Sequence, residues 1–593
     1  MTNSPTTPAP LLAVRDLVVG VATPTGSSIV VDHLSFTLER GETLCIAGES
    51  GSGKSMTALA LMRLLPEPSA RVASGRATLN GRDIFTLNET QMRDVRGREI
   101  GMIFQEPMTS LNPVLSVGRQ LTEAAAAHGT VSRAAATAEA RRLLDLVQIP
   151  DAARRLAQYP YELSGGMRQR VMIAIALAQK PGILIADEPT TALDVTVQAQ
   201  ILSLLRHLQA ETRSALLLIT HDMGVVAEMA DRVLVMRAGR EVEQAGVRKL
   251  FASARDPYTQ NLLHAVPVLG ARRGEALPLR GKATETGAVP TIIEINNLRV
   301  RFDIKGGLLR RPVARIHAVE GVSLKLKRGE TLALVGESGC GKSTTGKAIL
   351  NLVPWRGSIE VAGRATDGLQ HEAMKPILRD VQMVFQDPYA SLDPRMRVGE
   401  LVGEPLVIHA LAKGAELDDR VAYLFDRVGL PRDALRRYPH EFSGGERQRI
   451  CIARALALSP KAIVADESVS ALDVSIQAQV LDLMQDIQNE TGLSYLFITH
   501  DMAVVEEISH RVAVMYMGRI VETGSRTQVL EDPQHDHTKR LLSAVPIPDP
   551  NRARRAYVPF SGELPSPVHP LGYAPPPLTL DDVGGGHLVE RAA

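Results

Sequence analysis

The chain has few of the features that mark secreted, membrane-spanning or nucleic-acid-binding proteins. Its 593 residues include three cysteines, too few and too scattered for a disulfide framework or a metal cluster. The formal net charge is +1, so the basic field that nucleic-acid binders use is missing. No apolar run reaches about 18 residues, and the start MTNSPTTPAP lacks the basic and apolar regions of a secretion signal. We therefore expect no nucleic-acid partner and no membrane span.

The length and the composition along the chain predict several segments. A chain of 593 residues exceeds what one hydrophobic core usually serves. We expect a first domain over residues 1–270 and a second over 291–546. The polar, Gly- and Pro-punctuated stretch 271–290 between them is typical of a flexible linker. A Pro-rich C-terminal tail over 547–593 should be extended on the surface, or disordered.

Each half shows the pattern of an α/β domain. Short apolar runs such as TLCIAG, ILIAD, LLLIT and RVLVM alternate with helical stretches. This alternation indicates a mainly parallel sheet wrapped by helices. The predicted fold class is therefore α/β, formed twice.

A set of four motifs occurs twice in the same order. The pairs are GESGSGKS (48–55) with GESGCGKS (336–343), LSGGMRQR (163–170) with FSGGERQR (442–449), ILIADEP (183–189) with AIVADES (462–468), and ITHDM (219–223) with ITHDM (498–502). From the second motif onward the copies lie 279 residues apart. The repetition predicts two copies of one functional unit, joined end to end.

The first motif is typical of a phosphate-binding loop. GESGSGKS follows an apolar strand-like run and precedes a helix-like run, which is the context that G-x-x-x-x-G-K-[ST] requires. Backbone N–H groups of such a loop, together with the helix N-terminus, surround phosphate oxygens. We expect Lys54 and Lys342 to reach the β- and γ-phosphates of ATP, and Ser55 and Ser343 to ligate Mg²⁺. The other expected loop contacts are Gly48, Ser50, Gly51, Gly53, Gly336, Ser338, Gly339 and Gly341.

Two acidic residues follow an apolar strand in each half. Asp187 and Glu188 directly follow the run ILIA. At the end of such a strand, side chains project into the ligand crevice of an open parallel sheet. We expect Asp187 to hold Mg²⁺ and Glu188 to act as general base toward the attacking water. Asp466 and Glu467 repeat the arrangement.

A histidine follows a further apolar strand in each half. His221 and His500 each stand after such a strand and before an aspartate. We expect both to contact the γ-phosphate and to respond to its loss.

LSGGMRQR and FSGGERQR closely resemble the signature of ABC-transporter ATPase subunits, and the resemblance covers both halves almost entirely. It implies two tandem P-loop ABC ATPase domains, each with a mainly parallel sheet core, an antiparallel β part and a helical subdomain. In that family two domains dimerise head to tail, with each ATP between the phosphate loop of one and the signature of the other. Here one polypeptide would supply both. The signature residues expected to contact ATP are Ser164, Gly165, Gly166, Ser443, Gly444 and Gly445.

The resemblance extends to residues around these motifs. Gln105 and Gln386 resemble the family's Q-loop glutamine, which implies a catalytic contact with the water, a contact with the metal, and a place beside the membrane partner. TALD (191–194) and SALD (470–473) resemble its D-loops, which bridge the two sites. Phe302 matches the aromatic residue on which the family stacks adenine, whereas Val21 occupies the matching place in the first half.

Further segments narrow the resemblance. YPYELSGG, QEPMTSLNP, TALDVTVQAQIL and DPYTQNLLHAVP are similar to the ATPases of oligopeptide, dipeptide, nickel and glutathione importers. This implies an ATP-hydrolysing subunit with two transmembrane permease subunits and an extracytoplasmic solute-binding protein as partners. It would lie peripherally at the cytoplasmic face of the inner membrane. A peptide is the expected cargo, and nickel or opines are alternatives.

A soluble tandem ABC ATPase that acts on ribosomes is the alternative from another class. Such proteins typically carry a long, charged helical linker between their halves. The connector here is short and broken by Pro and Gly. The pattern therefore favours an importer.

Overall fold

The structure is a computed structural model, and it describes residues 9–23, 26–129, 132–191, 193–278, 289–306, 311–470, 472–552, 567–576 and 578–591. The chain folds as two compact units, one built mainly from residues 1–193 and 197–266 and the other from residues 267–545 and 564–593. Within the described part of the chain, none of the helices combines the length and the apolar character that a membrane span requires.

The first unit begins with antiparallel strands and continues with alternating strands and helices. Its strands are Leu12–Thr23 (β1), Gly26–Leu38 (β2), Thr43–Ala47 (β3), Ala70–Leu79 (β4), Arg82–Asp83 (β5), Ile100–Ile103 (β6), Ile183–Asp187 (β7), Ala215–Thr220 (β8), Arg232–Arg237 (β9) and Arg240–Gly246 (β10). Its helices are Lys54–Leu61 (α1), Glu89–Arg98 (α2), Pro107–Ser110 (α3), Val117–Ala126 (α4), Arg133–Leu146 (α5), Ala152–Arg155 (α6), Gly165–Leu177 (α7), Val195–Thr212 (α8), Met223–Met229 (α9), Val247–Ser253 (α10) and Pro257–His264 (α11).

Two sheets form the first unit. The larger has the order β10-β9-β3-β8-β7-β6 and is parallel except for its edge strand β10. Strands β3, β7 and β8 are buried throughout, as expected where helices cover both faces of a parallel sheet. The smaller sheet, of order β2-β1-β4-β5, is antiparallel.

Alternation along β3 divides the core of the first unit in two. Leu44 and Ile46 point to one face and join a cluster with the antiparallel sheet and α1. Cys45 and Ala47 point to the other face and join a cluster that includes helices α5, α7 and α8. Because side chains alternate along a strand, four consecutive residues of β3 contribute to both cores.

The second unit repeats this architecture. Its strands are Thr291–Gly306 (β11), Arg311–Lys327 (β12), Thr331–Val335 (β13), Arg356–Val361 (β14), Arg364–Ala365 (β15), Val381–Val384 (β16), Ala462–Asp466 (β17), Ser494–Thr499 (β18), Arg511–Tyr516 (β19), Arg519–Ser525 (β20), Val568–His569 (β21), Leu580–Asp582 (β22) and Leu588–Glu590 (β23). Its helices are Lys342–Ile349 (α12), His371–Asp380 (α13), Pro388–Ser391 (α14), Val398–Ile408 (α15), Ala415–Arg427 (α16), Gly444–Leu456 (α17), Val474–Thr491 (α18), Met502–Ile508 (α19), Arg526–Glu531 (α20) and Asp536–Ala544 (α21). The predicted α/β class, formed twice, is confirmed.

Strands from the C-terminal tail extend both sheets of the second unit. Strand β21 pairs with β12, and the hairpin of β22 and β23 pairs with β20, giving the order β16-β17-β18-β13-β19-β20-β23-β22. The composition of the tail predicts an extended surface segment or disorder, and these strands were not predicted. The signal was weak because each strand is only two or three residues long.

The beginning of the expected linker packs on the second unit. The N–H of Gly270 donates to Glu506 at 2.5 Å, and Arg272 forms an ion pair with Glu507 at 2.6 Å. Gly274 donates to Glu531 at 2.8 Å. These contacts tie residues 270–274 to helices α19 and α20, whereas residues 279–288 lie outside the described part of the chain.

A buried hydrogen bond attaches the tail to β20. Glu522 is fully buried, and its carboxylate lies 2.8 Å from the Nε2 atom of His587. The same carboxylate accepts the N–H groups of Gln534 and His535 at 2.8 and 3.1 Å. A buried carboxylate needs such partners, because without them nothing compensates for the water that it loses on burial.

We predict that His587→Ala destabilises the second unit. Removal of the imidazole leaves a buried carboxylate with fewer partners, which should lower the free energy of unfolding by about 1–3 kcal/mol. Urea denaturation measures this loss, and hydrogen exchange should show weaker protection of β20 and β23. His33→Ala is the matched control because that side chain is 70% exposed. Equal stabilities of the two variants would contradict the assigned role of the pair.

Candidate functional site

The phosphate loops follow the central strands β3 and β13 and lead into helices α1 and α12. Gly53 precedes α1 with φ of +97°, and a Cβ atom there would lie 2.5 Å from the carbonyl oxygen of Val30. Gly341 precedes α12 with φ of +108°, and a Cβ atom would overlap the carbonyl oxygen of Ala318. Only glycine therefore fits before either helix. The loop N–H groups stand at a helix N-terminus, where anions bind.

The lysine of each loop is buried and held by the loop itself. The Nζ atom of Lys54 donates to the carbonyl oxygens of Gly48 and Glu49, both at 2.7 Å. Lys342 donates to the corresponding carbonyl oxygens of Gly336 and Glu337, both at 2.8 Å. The structure thus places the Nζ atoms of both predicted lysines against the carbonyl oxygens of their own loops.

A serine and an aspartate meet beside each loop. The Oγ atom of Ser55 donates to Asp187 at 2.9 Å, and that of Ser343 donates to Asp466 at 2.8 Å. Burial raises the pKa of Asp187 to about 6, although the bond from Ser55 works against the shift. Burial raises the pKa of Asp466 as well. Hydroxyl and carboxylate oxygens are the ligand types that Mg²⁺ takes beside phosphates, so these pairs fit the ion.

The predicted bases have an uncommon backbone conformation in both units. Glu188 has φ of +45° and Glu467 has φ of +46°, which is the left-handed region. Each residue's N–H donates at 2.9 Å to a carbonyl oxygen of the neighbouring strand, that of Ile219 or Ile498. A residue with a side chain in this region costs about 1–2 kcal/mol. Both predicted bases thus share the same backbone conformation.

Three side chains surround the carboxylate of Glu188. Gln105 donates its Nε2–H at 3.0 Å, Thr191 donates its hydroxyl at 2.8 Å, and Nδ1 of His221 lies 3.1 Å away. Burial by itself would raise the pKa of Glu188, but the bond and the charge of His221 outweigh it and lower the pKa to about 2. Glu188 is therefore a carboxylate at neutral pH, next to an aspartate whose pKa is shifted the opposite way.

Glu467 has a related environment with one difference. Gln386 donates to its carboxylate at 2.7 Å, and Nδ1 of His500 lies 3.5 Å away. The hydroxyl of Ser470 donates instead to the main-chain oxygen of Glu467 at 2.9 Å. His500 lowers the pKa of Glu467 against the effect of burial, and Glu467 raises the pKa of His500 against the effect of burial. The structure thus brings the predicted glutamine, glutamate and histidine together in each unit.

One member of the first site was not predicted to contact the base. Thr191 belongs to TALD, which resembles a D-loop, yet its hydroxyl donates to the Glu188 carboxylate. The spacing of three residues between Glu188 and Thr191, in a turn after a strand, was the available signal. The matching Ser470 shows that a similar residue in the same place forms a different bond.

The signature serines begin helices and are exposed. Ser164 caps α7, where its Oγ accepts the N–H of Met167 at 3.3 Å. Ser443 caps α17, where its hydroxyl accepts the N–H of Glu446 at 3.3 Å and donates to the Glu446 carboxylate at 2.8 Å. The glycines that follow, Gly165 and Gly444, form the first turn of each helix. Within the described residues, neither serine is a partner of the carboxylate networks above.

Phe302, predicted to stack on adenine, lies on β11. It faces Ile316 of β12 and packs, partly buried, against the hydrophobic cluster of the second unit. Val21 has the matching place on β1, where it faces Ser28 of β2. The first unit therefore offers an aliphatic side chain where the second offers an aromatic ring.

Comparisons with known proteins agree with this geometry. The family model "ABC transporter" matches residues 31–191 and 319–470, and "Oligopeptide/dipeptide transporter, C-terminal region" matches residues 242–291 and 521–571. The chain is 54% identical over 580 residues to the glutathione import ATP-binding protein GsiA of Pectobacterium atrosepticum, covering 94% of this chain and 93% of that protein. It is 52% identical over 604 residues to the protein of the same name from Escherichia coli, covering 98% and 97%.

We predict that Glu188→Gln combined with Glu467→Gln leaves nucleotide binding intact and lowers ATP turnover by about 10²-fold or more. The amide keeps the shape and the hydrogen bonds of the carboxylate but is a far weaker proton acceptor. Phosphate release measures turnover, and equilibrium dialysis measures binding. Glu241→Gln, on the edge strand β10, is the matched control. Normal hydrolysis by the double variant would refute both base assignments.

Proposed function

This chain belongs to the ABC transporter ATP-binding proteins, and we propose that it couples ATP hydrolysis to the uptake of glutathione or a closely related peptide. The observation that carries the proposal is the pair of matched sites, each with a phosphate loop, a Ser–Asp pair and a hydrogen-bonded glutamate. The identity of 54% with a glutathione import protein over nearly the whole chain supports this cargo.

We assign the roles at each site from its own contacts. Lys54 and the loop N–H groups bind the phosphates of ATP, and Glu188 accepts a proton from the attacking water while Gln105 orients that water. Ser55 and Asp187 would hold Mg²⁺, which supplies charge neutralisation of the phosphates when bound. In the second unit the corresponding residues are Lys342, Glu467, Gln386, Ser343 and Asp466.

We further propose that each ATP is shared between the two halves. Lys54 would act with the signature Ser443, and Lys342 with the signature Ser164. A serine hydroxyl and Gly-rich N–H groups at a helix start suit a γ-phosphate that approaches from outside. Both signature serines are exposed at the first turn of long helices, which supports this arrangement. Hydrolysis would then release the halves from each other.

Two matched double variants test this pairing. Lys54→Ala with Ser443→Ala places both defects in one proposed site, so the second substitution should add little to the first. Lys54→Ala with Ser164→Ala places one defect in each site. The fold losses of ATP hydrolysis caused by the two single substitutions should therefore multiply. Steady-state ATP hydrolysis by the full chain measures both. If the two double variants lose the same activity, or if their order is reversed, the proposed sharing is wrong.

A groove of about 670 Å³ in the second unit is the proposed docking surface for a helical segment of a permease. Its wall includes the exposed ring of Tyr389, buried Leu392, and the ion pair of Glu404 with Arg454 at 2.7 Å. Its first lining residue, Tyr389, follows Gln386 by three residues along the chain. A partner seated in the groove would therefore be near the glutamine that contacts Glu467. Two permease subunits and an extracytoplasmic solute-binding protein would complete the transporter, with this chain at the cytoplasmic face of the inner membrane.

Reconstituted transport tests the function. The chain should co-purify with two polytopic permease subunits, and the complex in liposomes should take up labelled glutathione only when ATP is supplied. Tyr389→Ala should reduce uptake several-fold without lowering the ATPase rate of the isolated chain, because it removes a docking contact and no catalytic group. Tyr423→Ala, on an exposed part of α16, is the matched control.

Other outcomes identify the alternatives. Uptake of a nickel chelate or an opine, with no uptake of glutathione, would replace the proposed cargo and retain the importer. Co-purification with ribosomal particles, and with no permease, would support the soluble tandem ATPase instead.

A further inference from the structure

The C-terminal helix of the first unit reaches the phosphate loop. Tyr258 lies in the first turn of α11, and its Oη atom accepts the N–H of Glu49 at 3.3 Å. Glu49 is the second residue of GESGSGKS. A helix from the region matched by the oligopeptide transporter model therefore contacts the backbone that surrounds the phosphates.

The same loop residue is held from its other side by the lysine. The carbonyl oxygen of Glu49 accepts a hydrogen bond from Lys54 at 2.7 Å, while its N–H donates to Tyr258. Tyr258 and Lys54 thus fix the two polar main-chain groups of one residue. A change at Tyr258 should alter the direction of this peptide and the position of the ammonium group that rests on it.

Tyr258 is itself firmly placed. Asp256 caps α11 and accepts the Tyr258 N–H at 2.8 Å, and Thr259 and Leu262 of the same helix are buried. The guanidinium of Arg237 lies over the ring, 4.7 Å from its centroid. Burial raises the pKa of Tyr258 to about 12, so the hydroxyl remains protonated at physiological pH. The helix therefore presents a neutral hydroxyl at a fixed point beside the loop.

The second unit has a different residue in this position. His537 stands 279 residues after Tyr258, in α21, and it is 2% exposed. Its ring lies 4.2 Å from that of Tyr516, and within the described part of the chain its Nε2 atom has no hydrogen-bond partner. Burial lowers the pKa of His537 to about 3, so the ring is neutral. The second helix therefore supplies ring packing where the first supplies a hydroxyl contact.

We propose that Tyr258 is a positioning residue for ATP at the first phosphate loop, acting through the Glu49 peptide on Lys54. This inference rests on the proposed assignment of that loop to ATP. It predicts that helix α11 affects the nucleotide affinity of the first loop. It also predicts that the second loop does not depend on an equivalent hydroxyl from helix α21.

The test measures ATP binding at one loop of the full-length chain at a time. In a Lys342→Ala background, a fluorescent ATP analogue reports on the first loop. Tyr258→Phe keeps the ring and removes only the hydroxyl, so it should raise Kd by about 2- to 10-fold, as expected when the hydrogen bonding of this hydroxyl to Glu49 is lost. The melting temperature should stay the same. In a Lys54→Ala background, Tyr258→Phe should leave Kd at the second loop unchanged.

Controls separate the possible failures. Tyr423→Phe removes an exposed hydroxyl in the second unit and should change neither Kd nor melting. Lys54→Ala added to Lys342→Ala should abolish binding; if binding persisted, the assignment of the loops to ATP would fail regardless of Tyr258. If that control behaves as expected, unchanged affinity in Tyr258→Phe would overturn the proposal. A lower melting temperature without a change in Kd, or an equal change at both loops, would also overturn it.

Discussion

A phosphate-binding loop directs several main-chain N–H groups to one point by turning sharply where no side chain fits. Gly53 and Gly341 meet this constraint, because the carbonyl oxygens of Val30 and Ala318 occupy the space that a Cβ atom would need. The antiparallel sheets that supply these oxygens thus permit only glycine before the first helix of each unit. Their packing against the first helix of each unit fixes the shape of the loop.

The sheet order explains how distant motifs meet. Strands β3, β8, β7 and β6 are neighbours, and in a parallel sheet their carboxyl ends lie along one edge. The phosphate loop, His221, Glu188 and Gln105 follow these four strands, so residues far apart in sequence become hydrogen-bond partners. The left-handed backbone conformation of Glu188 turns its carboxylate toward those partners. The free-energy cost of this conformation is local, and the stability of the surrounding sheet offsets it.

The sequence predicts most of this arrangement because each motif is local and repeated. The loops, the Asp–Glu pairs and the two α/β units follow from short segments whose context is visible along the chain. The strands of the tail are different, since β23 forms only because β20 has an open edge for it. The contact of Tyr258 with Glu49 joins residues 209 positions apart, and nothing in either local segment encodes it. Contacts that depend on packing between distant elements therefore could not be predicted from the sequence.

The two units share their reacting groups but differ in the side chains that support them. Thr191 donates to the carboxylate of Glu188, whereas Ser470 donates to a main-chain oxygen. Tyr258 contacts the first loop through its hydroxyl, whereas His537 packs as a neutral ring. Duplication thus preserves the glutamine, glutamate and histidine in both units, while the residues that contact them and the phosphate loop differ.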